Sequence, residues 1–202
     1  MNFRKQAAWV LLAVMPIVGL EASSSPRLTE ALQKVSPPEK VEEKPAPKEI
    51  VKKIDPKVEA LLDTLSRAEG TFAWQTGKRR YDVRYAFRKL DITKPHPRTV
   101  IYSGYASDAS GAYQFLSPTW ISLFGYNAVM SPENQDKGAL KLVKQTGYDF
   151  NKPFVTQAPK LAPIWASFPW WSGYSYYGQS SHRLSTLNKF YLQRLVVHSA
   201  LA

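Results

Sequence analysis

One carboxylate in this 202-residue chain sits where a proton donor would be useful. Val58, Leu61, Leu62, Leu65 and Ala68 recur at helical spacing, and Glu69 falls four residues after Leu65 and seven after Leu62. Glu69 therefore joins the apolar face of a helix, in its last turn, with Gly70 as a natural stop. A carboxylate beside an apolar core loses hydration, and the negative end of the helix dipole acts in the same direction. Both favour the protonated form, which a general acid must hold near neutral pH. A glutamate tilted to the helix rim and reaching water fits the same spacing, and position alone does not choose between them. Other chemistries find little support. With no cysteine there is no disulfide, thiolate metal site, thiol nucleophile or lipid-anchored N-terminus. His96, His182 and His198 lack metal-ligand spacing, and no phosphate-binding or dinucleotide fingerprint occurs. No cofactor is expected.

The elements that must hold Glu69 are readable in outline. Asp55 is a good N-cap and Pro56 suits the first helical position. The stretch Tyr81-Asp82-Val83-Arg84-Tyr85-Ala86-Phe87 alternates and is rich in aromatic and β-branched residues. Thr99-Val100-Ile101-Tyr102 is similar, so a short twisted β element is expected between residues 81 and 105, with Pro95-His96-Pro97 in a loop. Ser117-Pro118 opens a helix through Trp120, Ile121 and Phe124 that stops at Gly125. Ser131-Pro132 opens another, with Ala139, Leu140 and Val143 inside and Gly147 at its end. A further helix is expected near residues 158–167, and a last one through Leu184, Leu187, Tyr191 and Leu195. The fold class is α+β, mainly α, with a small β element between helical parts. Trp165 is expected in the core; Trp170 and Trp171 are expected to pack or to offer flat faces to sugar rings.

Composition divides the chain into three parts. Arg4 and Lys5 precede an apolar run over residues 7–20, shorter than the ~20 residues of a membrane span. Pro16 and Gly19 break the run near its end, and Ala22 is a small residue suited to cleavage. Residues 1–22 read as a secretory signal peptide, the alternative being an uncleaved membrane anchor. Residues 23–55 hold Pro26, Pro37, Pro38, Pro45 and Pro47 among many Lys and Glu and no aromatic residue, so they read as a linker. Residues 56–202 form the expected folded domain. The net charge of +11 suits a polyanionic partner, a nucleic acid or an acidic wall. The export signal argues against nucleic acid. The protein is expected in the periplasm, the cell envelope or outside the cell, as a monomer. Its N-terminus is expected to engage the export machinery, and the membrane if it stays uncleaved.

Four blocks in fixed order carry a resemblance. They are Leu65-Ser66-Arg67-Ala68-Glu69-Gly70-Thr71; Tyr81-Asp82-Val83 with His96-Pro97-Arg98; Ser110-Gly111-Ala112-Tyr113-Gln114-Phe115-Leu116-Ser117 with Trp120; and Ile164-Trp165-Ala166-Ser167-Phe168-Pro169 with Tyr177-Gly178-Gln179. Between the last two lies Ser131-Pro132-Glu133-Asn134-Gln135-Asp136. Together they resemble the lambda-type phage endolysins, peptidoglycan lytic transglycosylases of lysozyme-like fold (glycoside hydrolase family 104). Each block alone is weak; order and spacing kept across a whole domain make the signal specific.

The resemblance implies that Glu69 protonates the oxygen between N-acetylmuramic acid and N-acetylglucosamine. It then takes the proton of the muramic acid C6 hydroxyl, leaving a 1,6-anhydro sugar without consuming water. Asp82, if it faces the cleft, either stabilises positive charge on the sugar ring or acts as a second carboxylate assisting water in a lysozyme-type hydrolysis; the alternative is a turn or hydrogen-bonding residue beside the β element. Gly111, Tyr113 and Gln114 are implied to bind substrate: Gly111 by letting the backbone approach the glycan, Gln114 by donating to and accepting from an N-acetyl group. Tyr177 and Gln179 are implied as further cleft residues. The partner is then peptidoglycan glycan strands, and a wall-binding protein without catalysis is the alternative of a different class. Three features depart from the family pattern. Residues 84–90 are bulky and basic where a Gly-rich turn is usual, Ala112 replaces an Arg, and residues 169–177 are longer and more aromatic.

Overall fold

The computed structural model describes residues 55–202. The expected signal peptide and all of the linker except Asp55 lie outside the described residues. The domain is built around one helix. In α1 (Pro56–Ala68) Asp55 caps the N-terminus, its side chain accepting from the Lys57 N–H at 2.8 Å. Leu61, Leu62 and Leu65 are fully buried, and so are the polar Asp63, Thr64 and Ser66, so α1 is enclosed nearly all round. Its largest neighbour is the C-terminal helix α5 (Leu184–Leu201), which lays Leu187, Phe190 and Tyr191 against the domain core. Two helices packed on each other extend the α framework: α2 (Ser117–Phe124), stopped by Gly125, and α3 (Pro132–Gln145), capped by Ser131. A short α4 (Phe154–Gln157) runs into a 3₁₀ turn over Ala158–Leu161.

The β part consists of two small antiparallel hairpins. One pairs β1 (Phe72–Ala73) with β2 (Lys78–Arg79); the other pairs β3 (Ile101–Ser103) with β4 (Tyr105–Ser107). The mainly α architecture with a small β element is as expected, and the expected Thr99–Tyr102 stretch runs into β3. The alternating stretch from Tyr81 does not form a strand. It makes single bridges, Val83 to Lys89 and Arg84 to Ser110, and then turns through Tyr85–Phe87 with Ala86 and Phe87 in left-handed conformations (φ 56° and 57°). Its aromatics wall a cleft instead of pairing in a sheet, so the two-residue periodicity misled. Of the helix expected near residues 158–167 the chain forms only the 3₁₀ turn over Ala158–Leu161, where Pro159 fits the first turn; the α-helical turn precedes it at Phe154–Gln157.

The buried polar groups of α1 are answered by an ion cluster. Asp63, 3% exposed, receives Arg194 Nε at 2.6 Å and His198 Nε2 at 2.7 Å, with Arg79 Nε at 3.5 Å. Arg79 also pairs with Glu59 at 2.6 Å. This cluster ties α5 and β2 to α1 by charge as well as by apolar packing. Removing one partner of a buried pair strands the others. Asp63→Ala is therefore expected to destabilise the domain by on the order of 3 kcal/mol, measured by urea unfolding. A loss below about 0.5 kcal/mol would mean that the cluster behaves like surface charge.

Candidate active site

The Glu-Gly-Thr block is the physical end of α1. Glu69 is the C-cap residue; Gly70 follows at φ 74° and donates its N–H to Arg67 O at 3.0 Å; the Thr71 N–H reaches back to Ser66 O at 2.8 Å. These two bonds are those of a Schellman motif, and its left-handed position suits glycine. Thr71 then fastens the helix end to the neighbouring loop. Its hydroxyl lies 2.9 Å from the Ser66 hydroxyl and 2.5 Å from Ala112 O. The preceding peptide is held as well: the Ala112 N–H donates to Gln135 Oε1 at 2.7 Å, while Gln135 Nε2 donates to Met130 O and Tyr81 O. Gln135 is wholly buried, so one amide side chain locks three loops around the end of α1.

Glu69 opens into a cleft of about 220 Å³, lined by Thr71, Val83 to Phe87, Ser103 and Gln114. Among these lining residues it is the one carboxylate. Burial pushes its pKa up from 4.5 to about 7, against the opposing effect of a hydrogen bond from the Ser167 hydroxyl to Oε1 at 2.6 Å. The carboxyl is thus substantially protonated near neutral pH and is held by one oxygen, leaving the other for a ligand. Ser167 is itself braced. His182 donates its backbone N–H to Ser167 O at 2.9 Å and its Nε2–H to Ala68 O at 3.1 Å, so one residue fixes both the helix end and the hydroxyl that orients Glu69.

Backbone strain gathers at this cleft. Ala86, Phe87 and Gln114 line it and are non-glycine residues with positive φ. Such conformations persist when surrounding bonds over-determine them. Here Tyr85 donates its N–H to Ala109 O and its hydroxyl to Ser103 O, and Gln114 Nε2 bonds Gly111 O at 2.9 Å.

The sequence-derived candidates separate into groups. Glu69 and Gln114 share the cleft. Asp82 is exposed, uses its carbonyl to accept from the Leu90 N–H, and is not among the lining residues. Gly111 lies beneath the cleft wall: an added Cβ would meet Gln135 Oε1 at 2.3 Å, so the close approach it permits is to Gln135. Tyr113 is 1% exposed and donates its hydroxyl to Asp136, so it supports the wall from behind. Tyr177 and Gln179 are exposed outside the lining, with the Tyr177 hydroxyl on Pro163 O. Sequence reading missed Gln135, Ser167 and His182 as individual residues, although the first two lay inside the quoted blocks. A buried polar residue inside a motif is the signal that could have singled them out. His96 and His198 are engaged structurally. His96 accepts the Arg98 N–H at Nδ1 and donates Nε2–H to Phe115 O, and burial lowers its pKa; His198 belongs to the Asp63 cluster.

A family model for endolysins matches residues 59–196, from the first turn of α1 into the last helix. The chain belongs to the Endolysin family. Bacteriophage lambda lysozyme complexed with a chitohexasaccharide is similar in structure, at TM-score 0.59 and 28% identity over 70% of this chain and 95% of that one. A second structure, lysozyme from bacteriophage lambda, is similar at TM-score 0.57 and 25% identity with the same coverage. No curated protein matches the sequence. This endolysin is accordingly a lysozyme-type, peptidoglycan-cleaving glycosidase of mainly α fold.

The raised pKa of Glu69 has a consequence for stability. Between pH 4.5 and 7 the folded state holds a proton that the unfolded state has released, so stability falls as pH rises through this window. Glu69→Gln removes the effect. The variant should match the parent below pH 4.5 and exceed it by roughly 2 to 3 kcal/mol above pH 7, measured by denaturation at a series of pH values. A difference that does not vary with pH would contradict the buried-acid description.

Proposed function

We propose that this endolysin is an exported lytic transglycosylase that cuts the β-1,4 bond between N-acetylmuramic acid and N-acetylglucosamine. The observation that carries the reading is that Glu69 is the one carboxyl among the residues lining its cleft, with burial raising its pKa. Hydrolysis by two carboxylates needs one on each side of the scissile bond. A single carboxyl can serve both halves of an internal transfer. Glu69 donates its proton to the bridging oxygen, and the N-acetylglucosamine leaves as its 4-hydroxyl. The resulting carboxylate takes the proton of the muramic acid C6 hydroxyl, O6 forms its bond to C1, and Glu69 is again protonated. No water enters, and the products are the free 4-hydroxyl and a 1,6-anhydro end.

A pKa near 7 suits this double duty, because at neutral pH neither giving nor accepting the proton is strongly uphill. Ser167 holds Oε1, so Oε2 is the oxygen that exchanges protons with the sugar. Gln114 faces the same space with an amide able to donate and accept, and we assign it to an N-acetyl or hydroxyl group. The lambda lysozyme that holds a chitohexasaccharide supports an N-acetylated glycan as the occupant. Residues 1–22 are proposed as the leader and 23–55 as the spacer. The net charge of +11 would concentrate the enzyme on acidic wall material.

Digestion of purified peptidoglycan by the full chain, with products weighed by mass spectrometry, tests the reading. Anhydro-muramyl ends are expected, and Glu69→Gln should reduce their release on the order of a thousandfold. Reducing ends heavier by one water would mean hydrolysis and bring Asp82 forward. Wall binding without cleavage would indicate a non-catalytic protein.

A further inference from the structure

The segment that departs most from the family pattern builds a second groove. Residues 169–177 form a closed turn: Pro169 bridges Ser175, Trp170 donates its N–H to Tyr174 O at 2.7 Å, and Gly173 donates to Trp170 O at 2.8 Å. Trp170 packs edge-on against Tyr176 at 4.9 Å, and the Ser175 hydroxyl ties the turn to Ala166 O. Trp170 and Trp171 stand over the C-terminal end of α3 and enclose a groove of about 310 Å³ with Gln145, Thr146, Lys160 and Ile164. Trp171 is 58% exposed and Ile164 39%, although both are large and apolar. The Lys160 ammonium spends one of its three donors on Gly147 O at 2.7 Å.

We propose that this groove binds a sugar of the same glycan strand beyond the catalytic cleft. The lining suits that ligand. Flat indole faces meet the C–H faces of a pyranose, and an amide, a hydroxyl and an ammonium stand ready for N-acetyl groups, hydroxyls and a stem-peptide carboxylate. A purely apolar ligand would leave the Gln145 amide and the two remaining Lys160 donors unused. Proximity supports a shared strand. Trp170 follows Ser167 by three residues, so their Cα atoms are at most about 11 Å apart, and Ser167 is bonded to Glu69. A polymer cut at Glu69 is therefore still within reach of the Trp171 face.

The inference rests on the proposed glycan cleavage, and one kinetic series separates the two. Trp171→Ala and Lys160→Gln are assayed in the full chain on long, uncrosslinked, peptide-bearing strands and on short oligosaccharides, with thermal midpoints to confirm folding. The expected result is a KM about tenfold higher for Trp171→Ala on long strands, equivalent to about 1.4 kcal/mol, with kcat unchanged. Lys160→Gln is expected to move KM in the same direction, and neither variant should change KM on short substrates. An unchanged KM on long strands, or an equal rise on long and short ones, overturns the groove as a binding site. If the parent enzyme cuts neither substrate, the fault lies with the cleavage reading itself.

Discussion

Everything at the cleft depends on where α1 stops. An ionised carboxylate at that point would be both poorly hydrated and close to the negative end of a helix, so the acid form of Glu69 persists up to neutral pH. That state exists only while the helix ends at Ala68 and the chain turns sharply at Gly70. One further helical turn would carry the following residues through the space now taken by the Ala112 loop. Termination, burial and the proposed acid–base chemistry are thus a single constraint.

The surrounding polar groups make sense as answers to that constraint. Gln135 and Thr71 satisfy backbone groups that would otherwise be buried without partners, the Ser66 hydroxyl pairs with that of Thr71, and together they fix the loop that carries Gln114. Ser167 and His182 perform the corresponding task on the opposite side. The Asp63 cluster works one level further out, keeping α5 and β2 on α1. Arg67 extends this layer with its guanidinium against the faces of Trp74 and Phe190, at 4.3 and 4.9 Å from the ring centres.

How far the sequence revealed this follows from the range of each interaction. Local signals were legible. Asp55-Pro56, Ser131-Pro132, Gly70 and Gly125 mark helix ends because capping is settled within a few residues. The position of Glu69 on the apolar face was legible for the same reason. The stretch from Tyr81 was not, since its alternation is a strand signal only when a partner strand exists, and here the turn at Ala86 and Phe87 forecloses pairing. Gly111 and Tyr113 lie in a legible motif, but their neighbours were not legible. Their contacts, Gln135 and Asp136, lie 24 and 23 residues away. The second-layer residues Ser167 and His182 depend on contacts reaching 98 and 114 residues along the chain, which no local pattern encodes.

The bulky turn at residues 84–87 and the aromatic turn at 169–177 are both departures from the family pattern that rest on the same frame of helices. Their variation changes the surroundings of Glu69 while the helix end beneath it is held by bonds that neither turn contributes. The proposed chemistry therefore depends on the state of one carboxyl. Selective ¹³C labelling of glutamate and NMR titration of the Glu69 carboxyl carbon reads that state directly. The expected midpoint is about 7, moving higher in Ser167→Ala, where the opposing hydrogen bond is lost. A midpoint near the ordinary 4.5 would contradict the account, because Glu69 would then be an ionised carboxylate in water at neutral pH.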